Sequence, residues 1–120
     1  MHKHWPELAA GLGPALKELR AGAPAVMQGF GALAQAALAG TALDAKTKEL
    51  IALAIAVAIR CDACIGFHAE AAVKRGASRD EVMETMGMAI YMGAGPSVMY
   101  AAQAIEAFDQ FSGRNRTAAE

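Results

Sequence analysis

Leu50-Ile51-Ala52-Leu53-Ala54-Ile55-Ala56-Val57-Ala58-Ile59, closed by Arg60 and followed at once by Cys61-Asp62-Ala63-Cys64, is the stretch on which the fold turns. Ten consecutive apolar residues are too few to cross a bilayer. The run lacks the alternation of a half-buried strand and is rich in good helix formers. Asp44 stands ahead of it at a capping position, so the stretch predicts a helix running through Glu49 to about Ile59. Such a helix is apolar nearly all round and belongs at the centre of a helical domain.

Outward from this run no convincing strand pattern appears, and Ala, Leu, Met, Glu and Lys dominate. A first helix is expected over about Trp5 to Leu19 and a second over Pro24 to Leu38, with Pro24 in a first-turn position and Gly40 as the stop. The C-x-x-C opens or continues into a fourth helix from about Cys61 to Arg75, whose stop signal is Gly76 at a C′ position. Ser78 and Glu81 form a capping box that opens a fifth helix to about Met92. Gly93-Ala94-Gly95-Pro96 breaks the pattern, and a sixth helix runs from about Pro96 to Phe111. The expected architecture is all-α, a single-domain bundle of about six helices over residues 1–120, with residues 1–4 and 112–120 frayed.

Composition bounds the function. At 120 residues one domain is expected, and 55% hydrophobic against 19% charged residues is more apolar than an average soluble domain. That surplus predicts a homo-oligomer with apolar surface buried between subunits. The formal net charge is -1 with Lys and Arg scattered, which leaves no electrostatic footprint for nucleic acid or an anionic membrane. Met1-His2-Lys3-His4-Trp5-Pro6-Glu7 lacks the basic-then-apolar order of a signal peptide, so a cytoplasmic location is expected. In that compartment thiols are kept reduced, and a lone C-x-x-C reads as catalytic, redox-sensing or metal-binding rather than as a staple.

Cys61 and Cys64 are the only cysteines, and His68 follows four residues later. Offsets of three, four and seven place all three side chains on one helix face. The thiolate is the reactive form of a cysteine, and a helix N-terminus or a nearby histidinium favours it. Cys61 near the start of its helix gains from unsatisfied backbone N–H groups. His68, one turn beyond Cys64, can exchange a proton with that sulfur, and a helical i,i+3 pair is close enough for a disulfide with modest adjustment.

Glu49, eleven residues, Cys61-Asp62-Ala63-Cys64, three residues and His68 together form a pattern that resembles the alkyl hydroperoxidase D-like branch of the carboxymuconolactone decarboxylase family. The likeness extends over about Leu43 to Phe108, including Gly76, the Ser78-x-x-Glu81 start and the Gly93/Pro96 break. The resemblance implies that Cys64 is the sulfur oxidised by peroxide to a sulfenic acid. Cys61 would then be the proton donor and resolving thiol, with Glu49 and His68 as the proton relay. It implies a hydroperoxide or disulfide substrate, a protein or lipoyl dithiol as reductant, no cofactor, and assembly as a trimer or hexamer. One departure is Ala63, where some members of the family carry a second histidine. Along one straight helix the twelve residues from Glu49 to Cys61 rise roughly 18 Å, so the chain must fold back near Arg60 or a second subunit must supply the carboxylate.

Plainer readings stand beside these. Two cysteines can be small buried apolar residues. Cys61, Cys64 and His68 are also good zinc ligands, but three on one short helical face lack an obvious fourth, and no metal is expected. Glu49 can be a solvated first-turn carboxylate, Asp62 a helix N-terminal charge, and Arg60 either a thiolate neighbour or a solvent-facing residue. Met83, Met86, Met88, Met92 and Met99 read as core or interface packing, and Phe67, Tyr91 and Tyr100 as core or channel aromatics. Rival functions are a lactone decarboxylase, which has no need of a cysteine pair, and a non-catalytic, redox-responsive assembly protein.

Overall fold

The computed structural model describes residues 2–113, and its elements are helices throughout: α1 (Trp5–Gly11), α2 (Gly13–Gly22), α3 (Pro24–Ala39), α4 (Ala45–Ala58), α5 (Asp62–Lys74) and α6 (Arg79–Phe111). The all-α architecture is as expected, with one difference in where the helices divide. The segment expected as one helix from Trp5 to Leu19 is two, because Gly13-Pro14 begins a new helix and Pro14 occupies its first turn. The break expected at Gly93–Pro96 is present: Ala94 is non-helical (φ 57°, ψ -145°), and α6 consists of two helical arms that reverse direction there. A straight α6 would hold Arg79 and Asp109 about 45 Å apart. Instead Arg79 Nε and Nη2 donate to Asp109 Oδ1 and Oδ2 at 2.9 and 3.2 Å, so the two arms lie alongside each other.

Gly93 makes the reversal possible. A Cβ there would lie 2.9 Å from Ser97 Cβ and run into the Ser97 hydroxyl. Ser97 itself is buried.

The core lies between α4, α5 and both arms of α6, with α1 laid across α5 and α6. Leu53 and Val57 of α4, Ile65 and Ala69 of α5, and Val82, Met86, Ala104 and Phe108 of α6 fill it, together with a fully buried Trp5. Small alanines at the contacts let the helix axes approach closely. The expectation that α4 is buried nearly all round is corrected: Ile51, Ile55 and Ile59 lie along an exposed stripe. Of the five methionines read as packing, Met86 is in the core and Met83, Met88, Met92 and Met99 are exposed. Phe67 and Tyr91 are exposed and Tyr100 is half-buried against the core.

Of residues 1–4, expected to fray, Met1 lies outside the described residues, and His2 and Lys3 are tied down. The backbone N–H groups of His2 and Lys3 donate to Glu106 at 2.6 and 2.9 Å, and Trp5 N–H donates to Gln110 Oε1 at 2.7 Å. Gln110 Nε2 returns a bond to Lys3 O at 2.7 Å, closing a strap over the second arm of α6. Of the C-terminal tail expected to fray, residues 114–120 lie outside the described residues. Helix α3 is sixteen residues long, carries no charged side chain and buries none of its residues. No helix among the described residues is long and apolar enough to cross a membrane.

Candidate functional site

Two helix stops and one helix start build the site. At the end of α4, Arg60 takes a left-handed conformation (φ 60°) while Arg60 N bonds Val57 O at 3.2 Å and Cys61 N bonds Ala56 O at 3.0 Å. This is the Schellman arrangement that usually recruits glycine, and the same pair of bonds recurs at Gly76 after α5. It turns the chain back on itself and delivers Cys61 as the N-cap of α5, where its sulfur accepts the Cys64 backbone N–H at 3.3 Å. Cys61 and Cys64 are joined in a disulfide with Cα atoms 5.2 Å apart. Both residues are half-buried.

The fold-back at Arg60 also brings Glu49 and His68 together within one chain. Counted along antiparallel helices from the turn, the two residues sit at similar depth, and Glu49 Oε2 lies 2.9 Å from His68 Nδ1. Glu49 is buried, so the reading of a solvated first-turn carboxylate is set aside. A carboxylate at this position accepts from Nδ1–H and leaves Nε2 as the basic nitrogen of the ring. His68 lies one helical turn beyond Cys64 on α5, with its side chain 37% exposed, enough for solvent to exchange protons with it. The four residues singled out in the sequence therefore occupy one corner of the α4–α5 hairpin.

Beside this corner a cavity of about 430 Å³ opens between α3 and α4. Its walls are apolar, including Leu38, Leu43, Ile51 and Ile55, and it reaches Glu49 and His68 but neither sulfur. Lys48 shapes it: Nζ donates to Ala37 O at 3.0 Å and Gly40 O at 2.8 Å, satisfying carbonyls at the C-terminal end of α3 and fastening that helix to α4 next to Glu49.

Sequence reasoning missed two contributors, Lys48 and Lys3, and offered a fold-back near Arg60 without its left-handed backbone. Arg60 gave no signal of positive φ, since glycine is the ordinary residue there. Lys48 carried no distinguishing signal of its own. Lys3 lay in a segment set aside, yet its ammonium pairs with Asp62, the first of the two residues between the cysteines. Near it, burial alone would push the Glu106 carboxyl up, but donation from the His2 and Lys3 backbone and from the Trp5 indole together holds it below the ordinary carboxylate value.

A model of the carboxymuconolactone decarboxylase family matches residues 24–107, from the first residue of α3 into the second arm of α6. The chain belongs to this family. The alkyl hydroperoxidase D-like pattern of Glu49, Cys61, Cys64 and His68 falls inside the matched region. The chain is similar to an uncharacterized protein of Haemophilus influenzae, 44% identical over 108 residues that cover 90% of this chain and 96% of that protein. An uncharacterized protein of Cupriavidus necator is 42% identical over 86 residues, 72% of this chain and 76% of its own length. Among solved structures, the apo crystal structure of a carboxymuconolactone decarboxylase family protein from Legionella pneumophila superposes with a TM-score of 0.87 at 53% identity, covering 90% of this chain and 96% of that one.

Proposed function

We propose that this chain is a thiol-dependent oxidoreductase that reduces hydroperoxides, or exchanges disulfides, by cycling the Cys61–Cys64 pair between dithiol and disulfide. The observation that carries the reading is the placement of that bonded pair at the start of α5, one turn from a histidine held by a buried carboxylate. In the reduced enzyme the Cys64 thiolate attacks the distal oxygen of the peroxide and becomes a sulfenic acid, and the alkoxide leaves with a proton relayed through His68. Glu49 fixes the ring and balances the charge His68 acquires. The Cys61 sulfur then attacks the sulfenic sulfur, water leaves, and the disulfide forms. A protein or lipoyl dithiol reduces it by thiol–disulfide exchange, becoming a disulfide itself and restoring both thiols. The two sulfurs supply both electrons, so the cycle calls for no cofactor.

The same reading places the protein in a homo-oligomer, a trimer or hexamer. Support comes from α3, whose uncharged surface leaves Val26, Phe30 and Leu33 between 63% and 70% exposed, and from the open stripe of α4. Apolar patches of this extent mark surfaces that associate.

The test is peroxide consumption by the full chain with several dithiol donors. Turnover that depends on the donor supports the proposal. Stoichiometric oxidation of two thiols without turnover favours a redox-responsive partner, and decarboxylation of a lactone by a Cys61→Ser/Cys64→Ser variant favours the decarboxylase reading.

A further inference from the structure

The N-terminal strap meets the cysteine pair at a point outside the proposed proton path. Lys3 Nζ donates to Asp62 Oδ2 and, at 2.7 Å, to Gln103 Oε1. The ammonium also lies 5.3 Å from the centroid of the Trp5 ring, within cation–π range. The surrounding residues are fixed: Trp5 is fully buried, its indole N–H donates to Glu106 at 2.8 Å, and the Lys3 backbone N–H donates to the same carboxylate. Two other elements and a neighbouring ring therefore hold the Lys3 charge. The Lys3 and Asp62 side chains are 27% and 36% exposed, partly shielded from water.

Asp62 is the first residue of α5 and the immediate successor of its N-cap, Cys61. Once the disulfide is reduced, the backbone N–H of Cys64 and the end of the helix favour negative charge on the Cys61 sulfur. A carboxylate one residue on opposes it, because two negative charges then share one helix end. The charged and titratable groups on the elements around the pair are Arg60, Asp62 and His68 beside it in sequence, Glu49 on α4, Glu106 on α6 and Lys3 on the strap. Glu49 is taken up by His68 and Glu106 by the strap's N–H donors. Arg60 sits exposed at the turn. Lys3 is the cation in direct contact with Asp62.

We propose that Lys3 is a positioning residue for the dithiol: its ammonium, held by Gln103 and Trp5, offsets the Asp62 carboxylate and keeps the reduced Cys61 sulfur anionic and ready to exchange. The inference deepens the redox reading and makes the first residues of the chain part of the site.

The experiment follows the pH profile of iodoacetamide alkylation in the full chain carrying Cys64→Ser, where Cys61 is the single thiol. Adding Lys3→Met should move the midpoint of the profile up by about half a pH unit or more, slowing alkylation about threefold below the midpoint and leaving the high-pH plateau unchanged. Lys3→Arg should restore the parent profile, and Asp62→Asn should move the midpoint down. In 1 M salt the gap between parent and Lys3→Met should narrow, as a half-exposed pair is screened. Superimposable profiles for parent and Lys3→Met would overturn the proposal, as would Lys3→Arg behaving like Lys3→Met. Should Lys3→Met lose helical signal, Asp62→Asn decides, and the absence of a downward shift overturns it. Turnover is not read in this assay, so a parent protein inert toward peroxide would remove the proposed function and leave the role of Lys3 standing.

Discussion

Glu49 Oε2 and His68 Nδ1, nineteen residues apart in sequence, are 2.9 Å apart across the α4–α5 hairpin. Because Glu49 is buried, its carboxylate has few other ways to be satisfied, and the contact engages Nδ1 and leaves Nε2 as the other ring nitrogen. His68→Ala should slow dithiol-dependent peroxide consumption by about 10²-fold or more. Glu49→Gln keeps the shape and loses the charge, and a smaller drop of about tenfold is expected. Stopped-flow oxidation of the reduced protein measures both; full activity in His68→Ala would remove the relay.

The two sulfurs should fail differently. Cys64→Ser should abolish turnover, whereas Cys61→Ser should permit one oxidation and leave a sulfenic acid on Cys64 that a dimedone probe traps. Labelling of Cys61 in Cys64→Ser, with none on Cys64 in Cys61→Ser, would reverse the assignment. That outcome is physically accessible, since Cys61 is the residue at the helix N-cap.

Arg60 occupies a backbone conformation that costs an L-residue roughly 1 kcal/mol over glycine. Arg60→Gly should therefore stabilise the fold by up to about 1 kcal/mol in denaturant titration, with the reactivity of the cysteine pair unchanged. A destabilised variant would mean that the guanidinium makes a contribution beyond the turn.

Acid should loosen the N-terminal strap. The folded-state pKa of Glu106 is depressed, so its contribution to stability is fully present above the ordinary carboxylate value and is lost as pH falls through the lower folded value. Glu106→Gln should flatten the acid limb of the stability–pH curve and leave the neutral region less stable. A parallel acid limb in the variant would show that other carboxylates dominate it.

Light scattering should report a trimer or larger. Phe30→Glu with Leu33→Glu, both on the exposed face of α3, should dissociate it without loss of helical signal. A compact monomer at micromolar concentration would count against the assembly.

Local rules made much of this fold legible in the sequence. Asp44 accepts the Thr47 N–H, the Ser78/Glu81 capping box is formed, and Gly76 ends α5 at positive φ, because each depends on residues within a few positions of one another. The cysteine pair and His68 were legible for the same reason. Glu49 needed the path of the chain between them, and that path turns on an arginine where glycine is the usual signal. The split at Gly13-Pro14 was missed because apolar residues continue across it, and the strap because His2, Lys3 and Trp5 find their partners about a hundred residues away.

The three glycines of α6 have unequal mutational futures. Gly87 and Gly95 face open space, and a methyl group at either meets nothing within 4 Å. At Gly93 any side chain collides with Ser97, and relieving the clash means opening the reversal that lets Arg79 reach Asp109. A saturation library selected for folded protein should thus return a broad alphabet at 87 and 95 and a single letter at 93. Replacing Ser97 with glycine would be the one-step route to relaxing that restriction.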